Sequence, residues 1–90
     1  MNQLLEQRVI QILCEEWKHT QPGILRSETV YNRLVAEGET VPEGVMNDVL
    51  SRLRERGLIR GILPLDREAM RRHGAVEISY VDPLLCRETH

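Results

Sequence analysis

Residues 49–61 read VLSRLRERGLIRG. Val49, Leu50 and Leu53, with Met46 before them, recur at three- and four-residue spacing, so they share one face of a helix. Gly57 supplies the left-handed conformation that ends such a helix. Leu58 and Ile59 then open an extended run to Leu63. The stretch therefore predicts a helix turning directly into a strand.

Upstream, Pro42 suits the first position of that helix, where its missing N–H costs nothing. A short connection, Glu39 to Val41, separates it from a second apolar stripe of Val30, Tyr31, Leu34 and Val35. Ser27 stands in position to cap this second helix, and Gly38 to end it. Two helices joined by so few residues have helix-turn-helix spacing. Before them, Pro22-Gly23 makes a turn, and Gly23-Ile24-Leu25 suits a very short extended piece. A first helix spans about Asn2 to Lys18, with Leu5, Val9, Ile12 and Leu13 inward. Leu4, Ile10, Cys14 and Trp17 widen its apolar side, for packing within the domain or for a dimer contact.

Downstream, Ala75 to Val81 alternates Val76, Ile78 and Tyr80 with Ala75, Glu77 and Ser79, the period of a strand. Pro64 to Gly74 joins the two strands and is long for a hairpin loop. Within it, Asp66 suits the cap of a short helical turn ending at Gly74. Asp82 and Pro83 close the second strand. Residues 84–90 show no period and read as a loose or partner-bound tail after a domain spanning 1–83.

The order helix, tiny strand, helix, turn, helix, strand, long loop, strand is similar to the winged-helix branch of helix-turn-helix proteins, in the style of bacterial regulators. The likeness covers roughly residues 3–82 and is carried by Leu50, Leu53, Gly57, Leu58 and Ile59. It implies a mainly α fold of three helices with a small β-hairpin, in a wing sheet of two or three strands. It also implies sequence-linked binding of double-stranded DNA as a small transcription regulator, with the third helix in the major groove and the hairpin loop against the backbone.

On that reading Asn47, Ser51 and Arg52 point outward for base contact. Arg67, Arg71 and Arg72 reach phosphate from the loop, and Ser27 and Thr29 add hydroxyl contacts at the second helix. Residues 58–74 hold Arg60, Arg67, Arg71 and Arg72 against Asp66 and Glu68. The whole chain, however, carries a formal net charge of −2, and DNA-binding domains of this size are commonly basic. A non-enzymatic protein–protein interaction module is the alternative. DNA binders of this kind usually dimerise, and here helix one or the tail would supply the surface.

Ninety residues allow one modest core. With no Phe, one Trp and two Tyr, aliphatic side chains must fill it. No apolar run is long enough for a membrane span. The two cysteines, Cys14 and Cys86, lack metal-ligand or redox-motif spacing, so the expected state is a reduced, cytoplasmic chain with Cys14 as apolar filler. His19, His73 and His90 read as surface residues. Neither a phosphate loop nor a nucleophile elbow occurs, so no enzyme, metal or cofactor is expected.

Overall fold

A computed structural model describes residues 3–62 and 67–87. Eight elements follow in order: α1 (Gln3–Thr20), β1 (Leu25–Arg26), α2 (Ser27–Ala36), α3 (Val45–Glu55), β2 (Ile59–Ile62), α4 (Arg67–His73), β3 (Glu77–Val81) and α5 (Pro83–Arg87). The fold is mainly helical, with one small antiparallel sheet ordered β1-β3-β2.

The apolar stripes meet in a single core. Val9, Ile12 and Leu13 of α1 pack with Val30 and Leu34 of α2, and with Met46, Val49 and Leu50 of α3. Ile59 of β2 and Ile78 and Val81 of β3 close it from the sheet side. Each such side chain stabilises the fold by about 1.5–3 kcal/mol relative to exposure.

Two helix ends follow the sequence closely. At the end of α2, Gly38 has φ +89°. There Gly38 N donates to Val35 O, and Glu39 N to Leu34 O, each at 3.0 Å. At the end of α3, Gly57 has φ +74°, and Leu58 N donates to Leu53 O at 2.9 Å. Both are Schellman closures that satisfy otherwise orphaned carbonyls.

The start of α3 departs from expectation. Pro42 lies three residues ahead of the helix, because Gly44 takes φ +87° and places the first helical residue at Val45. Gly44 N is also drawn to Arg71 O, at 2.8 Å. β3 departs too. The β2–β3 register shifts between Arg60 and Gly61: Arg60 faces Tyr80, but Gly61 faces Ile78. Ser79 is the extra residue, and a bulge of this kind reverses the alternation beyond it. Ile78 and Val81 are therefore both buried, and Tyr80 is exposed.

Two larger corrections concern the segments that looked loose. Residues 67–73 form no projecting arm. They are a helix, α4, laid back onto α3. Gly74, at φ +86°, lies so close that an added Cβ would sit 2.8 Å from Leu50 Cδ1. Asp66, the expected cap, falls outside the described residues. The chain after Asp82 forms α5 against α1, with Leu85 buried. Asp82 Oδ1 accepts from Leu84 N at 2.9 Å, which caps it. Cys86 is joined to Cys14 by a disulfide, with a Cα–Cα distance of 5.6 Å. The expected pair of reduced thiols is thus replaced by a bond that pins α5 to α1, and Cys14 is unavailable for a dimer contact.

Candidate functional site

The outward residues of α3 divide into two flanks. Asn47, Ser51 and Arg54 are spaced i, i+4, i+7, so they share one flank. Asp48 and Arg52 lie around the other side, whereas Glu55 lines a further cleft together with Ser51 and Arg54. This separates the expected base-reading set. Arg52 turns toward α1, where its Nη2 pairs with Glu6 Oε1 at 3.1 Å, and its Nε donates to Asp48 O at 3.3 Å. Asn47 and Ser51 look the other way, and Arg54 accompanies them. Arg54 is not among the contact residues expected from the sequence; its seven-residue spacing from Asn47 was the available signal.

Alongside Asn47, α4 contributes Arg67, Met70 and Arg71. With Gly44 these residues line an open cleft of about 410 Å³. Arg67 and Arg71 are four apart and so stand on one face of α4. Arg72 faces away, into a second cleft of about 300 Å³ shared with Arg26, Glu28 and Glu77. Among the described residues, Arg54, Arg67 and Arg71 form no salt bridge. The arginines that do pair are Arg8 with Glu37, Arg33 with Glu15, Glu16 and Glu37, and Arg52 with Glu6. Thus Glu6, Glu15, Glu16 and Glu37 are taken up by other arginines, and the lining of the Asn47 cleft holds two arginines and no carboxylate.

That segregation shows in the ionisation of the paired groups. A hydrogen bond from Arg33 holds the Glu15 carboxyl below its ordinary range, outweighing the opposing effect of desolvation, and the Arg33 charge acts in the same direction as the hydrogen bond. The same hydrogen bond raises Arg33.

Ser27 and His73 are not surface groups. Ser27 is 1% exposed. Its hydroxyl lies 3.0 Å from His73 Nδ1, and its oxygen accepts from Val76 N at 2.9 Å. Ala75 N donates to the same Nδ1 at 3.3 Å. Ser27 N donates to Val76 O at 2.9 Å, extending the β1–β3 ladder by one residue pair. The cap of α2 is Arg26, without a side-chain hydrogen bond. The Ser27 hydroxyl therefore fastens α2 to the α4–β3 connection, where a phosphate has no access. His73, expected at the surface, is 7% exposed. Thr29 remains exposed on the first turn of α2.

Among the described residues no group of three or more His, Cys, Asp or Glu side chains is placed to hold a metal ion. No helix among the described residues is long and apolar enough to cross a membrane. Comparison with protein-family models finds no match, and searches of curated proteins and of solved structures find no similar chain.

Proposed function

We propose that this chain is a winged-helix domain that binds double-stranded DNA as a small transcription regulator, through the flank of α3 that faces α4. The observation that carries this reading is the pair Arg67 and Arg71, without a salt bridge among the described residues, lining one cleft with Asn47; Ser51 and Arg54 continue along that flank of α3, beside Glu55. Guanidinium forks suit phosphate oxygens, and Asn and Ser suit base edges. The element order and the β1-β3-β2 sheet support the winged-helix assignment.

The contact differs from a reaching wing. Packed helices lie 8–10 Å apart, and each is about 10–12 Å across with its side chains. A major groove about 12 Å wide does not admit both. α4 therefore rests on the phosphates at the groove edge, while only the Asn47–Ser51 flank meets bases. Most of the affinity is then electrostatic, with modest sequence preference. Pairing of two copies through exposed Leu4 of α1 or Leu84 of α5 would place two such faces on one duplex. On this reading the chain works in the cytoplasm without cofactor or catalytic activity.

A low-salt shift assay with random duplex DNA tests this. Retardation of the duplex, weakened alike on all sequences by Arg67→Ala with Arg71→Ala, is the expected result. A second reading, a protein–protein interaction module, draws on the seating of α4 over the start of α3. Absence of any shift at low salt would favour it.

A further inference from the structure

The single tryptophan of the chain is not spent in the core. Trp17 is half-buried on α1 and walls a cleft of about 390 Å³ with Tyr80, Pro83 and the Cys14–Cys86 disulfide. A second cleft of about 590 Å³ adjoins it, sharing Trp17 and Gln21 and continuing past Pro22 and Gly23. We infer that this double cleft binds an extended, proline-containing peptide segment that carries an acidic side chain, at a site separate from the α3–α4 face.

Three observations carry the inference. First, two aromatic side chains, Trp17 and Tyr80, and two adjoining clefts that share Trp17 and Gln21 suit a polyproline II segment, which is already extended and loses little entropy on docking. Secondly, the Trp17 indole N–H makes no hydrogen bond among the described residues, and no buried side-chain polar atom there lacks a partner. The N–H therefore faces solvent, ready to donate to a peptide carbonyl. Thirdly, the rim is cationic. Lys18 and Arg87 line the cleft with no carboxylate among the lining residues. Of the acids that flank the lining residues, Glu15 and Glu16 are paired with Arg33, and Asp82 Oδ1 accepts from Leu84 N. In a chain of net charge −2, this rim selects an acidic partner. A stacked nucleobase fits less well. The Arg60 guanidinium already lies over the Tyr80 ring, 5.5 Å from its centroid, and Trp17 packs against the core.

Emission from Trp17, the sole tryptophan, reports occupancy directly. The purified, oxidised protein is titrated with the blocked peptide Asp-Pro-Pro-Leu-Pro-Glu, with its Lys-for-acid counterpart, and with octathymidylate. The expected result is a saturable emission change with the acidic peptide at or below about 1 mM, and affinity at least about tenfold weaker for the basic counterpart. Lys18→Glu with Arg87→Glu, both at exposed positions, is expected to weaken the acidic peptide by a further tenfold or so while leaving duplex DNA binding and thermal unfolding unchanged. No saturable change, equal affinity for the two peptides, or preference for octathymidylate would overturn the inference.

Discussion

Removing the disulfide is the most informative perturbation of stability. The two cysteines are 72 residues apart in sequence. Constraining a loop of that length lowers the entropy of the unfolded chain by an amount worth about 4 kcal/mol. Domains of this kind are stable by only about 5–15 kcal/mol in all. The native packing of α5 survives the loss, because Leu85 remains buried against α1. Cys86→Ser should therefore fold, but with much less in reserve. With a urea dependence of about 1–2 kcal/mol per molar for so small a chain, the unfolding midpoint should fall by about 2–4 M. The assay is urea unfolding followed by Trp17 emission, comparing oxidised protein, protein held in a phosphine reductant, Cys86→Ser and the double serine variant. The last three should coincide, since each removes the same bond. Midpoints within about 0.5 M of the oxidised protein, once mass spectrometry has shown that protein to lack free thiols, would refute the reasoning.

Three further outcomes follow from the packing. Ser27→Ala removes the acceptor for Val76 N and the partner of His73 in a buried site, and should destabilise the fold by about 1–3 kcal/mol in chemical denaturation. Gly74→Ala places a Cβ against Leu50 in a left-handed residue. It should cost about 1–3 kcal/mol, and amide exchange should show the loss first in α4. The Glu15 carboxyl is depressed in the folded state, so its contribution is full above the unfolded carboxylate pKa and disappears as pH falls through the lower folded value. Arg33→Ala should flatten the pH dependence of the urea midpoint on that acid limb; an unchanged acid limb would show that this pair does not act.

Much of the architecture is legible in the residues because stripe and punctuation agree. Val9, Ile12, Leu13, Val30, Leu34 and Leu50 repeat at helical spacing and are all fully buried. Gly38 and Gly57 sit where a helix must stop. What escaped reading depends on contacts between distant segments. The β-bulge at Ser79 belongs to the pairing of β2 with β3, and Tyr80 is exposed only because of it. The seven residues of α4 carry too few apolar side chains to announce a packed helix. Its seating comes instead from the lack of a side chain at Gly74 and from the Ser27–His73 contact across 46 residues. The Cys14–Cys86 bond likewise joins two ends that nothing local connects. At the candidate site, Asn47, Ser51, Arg67 and Arg71 were identifiable from residue type. The partition of α3 that sets Arg54 with them, and Arg52 with Glu6, is a matter of helix phase against α1 and α4.

The salt dependence of duplex binding tests the central claim most directly. Release of counterions by three phosphate-bound arginines gives a slope of log affinity against log salt of about −2.7, or about a 40-fold loss between 50 and 200 mM. Arg54→Ala, Arg67→Ala and Arg71→Ala together should bring that slope close to zero. A slope that survives the triple replacement, or no duplex binding at 50 mM salt, would contradict the assignment of the α3–α4 face.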